Sequence, residues 1–163
     1  MNRIVILGVG NLLLTDEAVG VRAVEAFERR YRLPDGIEVL DGGTAGMEML
    51  EALENLDHLI IADCARLGKP PGTVSVLRDE AVPNFFKTKI SPHQIGISDV
   101  LGSLIFTGRQ PKKLSLICIQ PNLIETGMDL TPEVEAAIPA VLAEIVGELR
   151  ASGVEVAEAA TCA

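Results

Sequence analysis

Ile4-Val5-Ile6-Leu7-Gly8-Val9-Gly10-Asn11-Leu12-Leu13-Leu14-Thr15-Asp16-Glu17 opens the chain and decides its reading. An apolar run rich in Ile and Val that stops at glycine predicts a buried strand. Gly8 and Gly10 let the backbone turn sharply off the strand's carboxyl end, in conformations that a Cβ penalises. Beyond them, Gly20, Val21, Val24, Phe27 and Tyr31 recur at a spacing that suits one face of a helix. Asp16 and Glu17 fall between strand and helix. The first strand therefore delivers two carboxylates to the edge where open α/β sheets usually bind their ligands.

The pattern repeats outward. Leu33-Pro34-Asp35-Gly36 reads as a turn and Ile37-Glu38-Val39-Leu40 as a second strand, which ends at Asp41-Gly42-Gly43-Thr44. Thr44 is placed to cap a helix carrying Met47, Leu50 and Leu53, with Met47 and Met49 read as core packing. His58-Leu59-Ile60-Ile61-Ala62 stops at Asp63-Cys64, and its continuous apolar character suits a central parallel strand covered on both faces. His58, at the opposite end of that strand, reads as surface. Thr73 to Leu77 alternates like an edge strand, and residues 79–97 read as a long irregular loop containing Pro83 and Ser91-Pro92-His93. A helix is expected from Ser98-Asp99, and Leu114 to Ile119 supplies a fifth strand. Thr131-Pro132 starts the last helix, which Pro139 should kink or delay and Gly153 should stop. The tail from about residue 154 is expected to fray. Strands alternating with helices predict an α/β, three-layer fold, with a mostly parallel twisted sheet of about five strands and helices on both faces.

At 163 residues the chain is most economically a single domain, 1–163. A net charge of −9 and an aromatic content of 3% argue against nucleic acid, which needs clustered cations and stacking platforms. Cys64, Cys118 and Cys162 lie far apart without a CxxC spacing, which fits a reducing compartment rather than a disulfide framework. No apolar run is long enough for a signal peptide or a membrane span, so the expected setting is cytoplasmic, with no membrane partner.

Strand, Gly8-Val9-Gly10, helix, strand and Asp41 imitate a dinucleotide-binding unit, but Leu13 stands where its third small residue belongs. Asp16 and Glu17 would also repel a pyrophosphate. The other constellation is a metal site. Glu17, Asp41, Asp63 and His93 lie at or beside strand ends and in the irregular loop. Two carboxylates and one imidazole suit a divalent ion with open positions. Each residue alone has a plainer explanation: Asp63 capping a turn, Glu17 favoured by a helix dipole, His93 on a loop surface. Together the acids would crowd one crevice and repel without a compensating cation. Cys64 reads as a buried structural thiol rather than a nucleophile. No GxSxG elbow supports a serine hydrolase.

Gly8 to Glu17, Asp41-Gly42-Gly43-Thr44-Ala45-Gly46, Ile60-Ile61-Ala62-Asp63 and Lys89-Ile90-Ser91-Pro92-His93-Gln94 together resemble the hydrogenase maturation endopeptidases, in order and in spacing. The resemblance spans about residues 1–150 and is nearest to members serving membrane-bound or uptake [NiFe]-hydrogenases. It implies a twisted sheet of about five strands between helices. It also implies removal of a C-terminal extension from a [NiFe]-hydrogenase large-subunit precursor after nickel insertion. The implied metal ligands are Glu17, Asp63 and His93, with Ni2+ supplied by the precursor. Asp41 resembles a family position linked to specificity or cleavage and is the candidate catalytic residue. A monomer is expected from the small size and the one-to-one task. The rival reading is a non-catalytic module that senses a metal or nucleotide in a Rossmann-like crevice.

Overall fold

The computed structural model describes residues 2–88 and 92–160, the side chains of Pro92 and His93 excepted. In chain order the elements are β1 (Ile4–Val9), α1 (Val19–Arg30), β2 (Tyr31–Arg32), β3 (Ile37–Gly43), β4 (His58–Cys64) and β5 (Val74–Arg78). They continue with α2 (Ala81–Lys87), α3 (Pro92–Phe106), β6 (Lys113–Ile119), α4 (Pro132–Glu135), α5 (Ile138–Ala151) and β7 (Ala157–Glu158). The main sheet has five strands in the order β3-β1-β4-β6-β5. β1 runs parallel to β3 and β4, and β4 to β6, while β5 lies antiparallel on the edge.

Every residue of β1 and β4 is buried, as a strand covered on both faces requires. Side chains alternate between two cores. Ile4, Ile6, Ile60 and Ile117 meet Val24 and Phe27 of α1 and Val141, Ile145 and Leu149 of α5. Val5, Leu7, Leu59, Ile61 and Leu116 meet Val82 and Phe86 of α2 and Ile97, Leu101 and Leu104 of α3 on the other face. This is the three-layer α/β arrangement expected from the sequence.

The order of the strands locates the ligand crevice. From β1 the chain moves to β3 on one side, then crosses back to β4 on the other. Where strand order reverses, the connections leave the sheet in opposite directions and open a cleft at the carboxyl ends. Here that cleft lies between β1 and β4.

Several local expectations are corrected. After Thr44 the chain forms only two 3-10 turns, Met47–Met49 and Glu51–Leu53, bounded by non-helical backbone at Gly46 (φ −131°, ψ −117°) and Glu54 (φ −74°, ψ 137°). Met49 enters the core, whereas Met47 is 47% exposed. The segment 79–97 is not one loop, since it contains α2 and the beginning of α3. Pro83 sits in the first turn of α2 and Pro92 at the first position of α3, where a missing N–H costs no helical bond. Residues 89–91 lie outside the described part. Pro139 delays the last helix rather than bending it: α4 ends at Glu135 and α5 begins at Ile138. The tail carries β7, which pairs antiparallel with β2.

His58 is the clearest reversal, buried to 1% exposure rather than on the surface. Its Nδ1 lies 2.7 Å from Ser152 Oγ and its Nε2 2.7 Å from Ser115 Oγ. The Ser115 hydroxyl donates to the Glu148 carboxylate at 2.6 Å, so its oxygen is left to accept from His58 Nε2–H. The neutral Nε2–H imidazole, accepting at Nδ1 from Ser152, satisfies the whole chain. Arg78 closes it through a salt bridge to Glu148 at 2.6 Å.

Candidate active site between β1 and β4

Glu17 lies in the 3-10 turn Thr15–Ala18 that links β1 to α1, and it is half-buried. Two glycines press this turn onto the sheet. Gly10 has φ 138°, and a Cβ there would fall 2.0 Å from Glu17 O. A Cβ on Gly20 would fall 2.2 Å from Ala62 O, so the start of α1 rests directly on the end of β4. Side chains at either position would push Glu17 away from Asp63. The sequence places glycine where the two strand ends must be brought together.

Asp63 is the penultimate residue of β4 and is fully buried. Its Oδ2 accepts from Gln94 Nε2 at 3.2 Å, and the same amide approaches Cys64 O at 3.3 Å. Gln94 is 7% exposed and is carried by the first turn of α3. It was not singled out in the sequence, where its only mark is adjacency to His93. Its role is to orient the Asp63 carboxylate.

The neighbouring Cys64 thiol reports the local field. Burial pushes its pKa far up, and the carboxylates of Asp63, Glu17 and Asp16 push it further. Three acids therefore act on one point at the strand ends, and the thiol between them stays protonated. Cys64 is buried, and a thiol held protonated there is a poor nucleophile, because the thiolate is the attacking form.

Asp16 has a different occupation from its neighbour. It is fully buried, and its Oδ2 accepts the N–H groups of Asn122 and Leu123 at 2.9 Å. Thr131 Oγ1 reaches the same oxygen at 2.8 Å, and the Thr131 N–H donates to Oδ1 at 2.8 Å. Asp16 thereby fastens the connection between β6 and α4 to the turn bearing Glu17. Thr15, held at φ 44°, completes the join by donating through Oγ1 to Leu123 O at 2.7 Å. Thr131 consequently starts α4 without using its hydroxyl as a cap.

Asp41 stands near the end of β3, with its side chain exposed. Its Oδ1 accepts the Gly43 N–H at 2.8 Å, which fixes the carboxylate in an Asx turn. The Gly10 N–H donates to Gly43 O at 2.8 Å and ties the end of β3 to the turn before Glu17. A Cβ on Gly96 would lie 3.2 Å from Gly46 Cα, so the Asp41-to-Gly46 segment abuts the start of α3. The structure thus gathers the segments of Glu17, Asp41, Asp63 and Gln94 at one end of the sheet.

The His93 side chain lies outside the described residues. Among the described residues no three His, Cys, Asp or Glu side chains converge into a metal-holding cluster. Nor is any helix among them long and apolar enough to cross a membrane.

Comparison with known proteins agrees with this fold. Residues 21–148 match the family model of the hydrogenase maturation proteases. The chain is 58% identical over 154 residues to the hydrogenase 2 maturation protease of Escherichia coli, covering 94% of each. It is 44% identical over 156 residues to the hydrogenase expression/formation protein HupD of Rhizobium leguminosarum, covering 94% of this chain and 77% of the relative. Its fold matches the hydrogenase maturating endopeptidase HybD from E. coli with a TM-score of 0.93 at 57% identity, over 96% of this chain and 97% of the other. A more distant match, the [NiFe] hydrogenase maturation protease HybD of Thermococcus kodakarensis, has a TM-score of 0.73 at 27% identity, over 90% and 98%. The chain belongs to the hydrogenase maturation proteases.

Proposed function

We propose that this protease removes the C-terminal extension of a [NiFe]-hydrogenase large-subunit precursor, and that nickel carried by the precursor docks the scissile segment. Glu17, Asp63 and His93 are the residues assigned to that nickel, which is part of the substrate. The observation that carries the reading is the convergence of Asp63 and Glu17 on the strand-end crevice, with Gln94 orienting one carboxylate. Hard oxygen donors in a strongly negative field suit a divalent cation. The protonated Cys64 leaves water as the attacking group. Asp41, held by the Gly43 N–H, accepts a proton as the water oxygen bonds to the scissile carbonyl carbon. When the C–N bond breaks, that proton passes to the leaving amine, so the reaction is a hydrolysis with no other reactant. In this reading the protein works as a cytoplasmic monomer.

The test is the intact mass of a nickel-loaded precursor from the same organism, before and after incubation with the protease, beside a nickel-free sample. Loss of a C-terminal peptide only from the loaded precursor is the expected result. Equal cleavage of both samples would overturn the nickel requirement.

A further inference from the structure

β3 is an outer strand of the sheet, and among the described residues no strand pairs with its other side. Its orientation follows from one bond: the Ile4 N–H donates to Gly36 O at 2.9 Å. In a parallel ladder the hydrogen-bonding groups of successive residues alternate in direction. Register pairs Ile4 with Ile37 and Ile6 with Val39, so Gly36, Glu38 and Leu40 turn their backbone groups to β1. Val39 and Asp41 turn theirs to the open side. Natural sheets usually blunt such an edge with Lys, Pro, a very short strand or a covering element. β3 spans seven residues, from Ile37 to Gly43, and contains neither Lys nor Pro; its charged residues are Glu38 and Asp41, and its register shift against β1 comes only beyond Asp41.

An open rung of alternating N–H and C=O groups is complementary to one kind of partner, an extended peptide. An endopeptidase needs to hold such a peptide beside its reacting groups. The Val39 rung leads to Asp41, at the carboxyl end of the strand, whose carboxylate is fixed by the Gly43 N–H. The opposite edge strand, β5, carries none of the acids of the crevice.

We propose that the precursor's C-terminal segment binds as an added strand along the open edge of β3, through the backbone of Val39 and Asp41, and that this pairing aligns the scissile bond with Asp41. The proposal rests on the processing reaction stated above and adds the surface that holds the substrate. Side-chain-independent pairing of this kind selects an unfolded, extended tail over folded parts of the precursor. Specificity then comes from where the tail is anchored rather than from a pocket for one side chain.

Val39→Pro tests it, because the N–H that proline removes faces away from β1 and proline is tolerated on edge strands. Val39→Ala removes the same side-chain packing, keeps the N–H and sets the baseline. Nickel-loaded precursor cleavage by the proline variant is expected to fall at least tenfold in kcat/KM below the alanine variant. Equal values, with both variants folded by circular dichroism, would overturn the proposal. A second measurement needs no change at Val39: amide hydrogen exchange on the Asp41→Asn protease with nickel-loaded precursor. Slowed exchange at Val39 is expected, and unchanged exchange in a complex confirmed by gel filtration would overturn the added strand. Absence of cleavage by the wild-type protease, with slowed exchange intact, would instead overturn the processing reaction while leaving the docking surface standing.

Discussion

Asp16→Asn separates the scaffold of the crevice from its chemistry. The side-chain volume is kept, but the amide has one acceptor atom where the carboxylate has two. Oδ2 receives three hydrogen bonds and Oδ1 one, so the amide oxygen takes the Oδ2 place and the NH2 faces the Thr131 N–H. One buried donor then meets another donor, at a cost of about 1–3 kcal/mol. The three remaining bonds lose the assistance of a full charge, roughly 0.5 kcal/mol each. Relief from burying the charge offsets part of this, and the net expectation is a loss of about 2–4 kcal/mol. For a domain of this size that lowers Tm by roughly 5–12 °C. Urea unfolding at pH 7 measures the difference through the midpoint at constant slope. A variant within about 0.5 kcal/mol of wild type would refute the claim that Asp16 holds the two chain segments together. The effect also has a pH signature. Burial pushes the Asp16 pKa up, but the hydrogen bonds from Leu123, Thr131 and Asn122 together hold it below the usual carboxylate range. Its contribution is therefore complete above the unfolded value, about 4, and disappears as pH falls through the lower folded value.

Three further outcomes are expected. Gly10→Ala places a Cβ 2.0 Å from Glu17 O on left-handed backbone, and should cost about 3 kcal/mol in urea unfolding while lowering precursor cleavage in whatever protein remains folded. His58 is kept neutral by burial, against the pull of the Glu148 carboxylate, so its pKa lies below its ordinary value. The unfolded chain takes up that proton first, so stability is full above pH about 6.5 and declines on acidification towards the folded value; a His58→Gln variant should show a flatter unfolding profile between pH about 6.5 and 5. Cys64, buried with its thiol pushed up, should resist iodoacetamide at pH 8 until denaturant is added, as read by mass spectrometry of its peptide.

The central strands were legible because they are short apolar runs bounded by glycine, proline or acidic residues, and burial of both faces enforces that pattern. The order of the motifs along the chain was enough to place Glu17 and Asp63 at carboxyl ends. What failed was read from local cues alone. His58 looks like a surface residue because its partners, Ser115, Glu148 and Ser152, come from β6 and the end of α5. α2 was hidden because Pro83 suggests a loop, although a proline in the first turn removes no helical hydrogen bond. The helix expected after Thr44 is replaced by two 3-10 turns between non-helical Gly46 and extended Glu54, and an extended backbone at a good helix former such as Glu54 leaves little trace in a sequence.

Asp16 and Glu17 show most directly why a site is harder to read than a fold. They are neighbours of the same chemical type at the end of the same strand, and sequence alone presents them as a pair. The turn sends one inward and leaves the other half-exposed. Asp16 receives partners from residues 122, 123 and 131, more than a hundred positions away, and no local pattern announces them. Glu17 inherits its position from that anchor and from the absent side chain of Gly10. A carboxylate that is saturated by backbone donors cannot also hold a substrate cation. One beside it, carried on a backbone fixed at both ends, can present its oxygens without reorganising. Asp16 is saturated in holding the turn together, and Glu17 is the acid that the same turn leaves half-exposed at the strand ends.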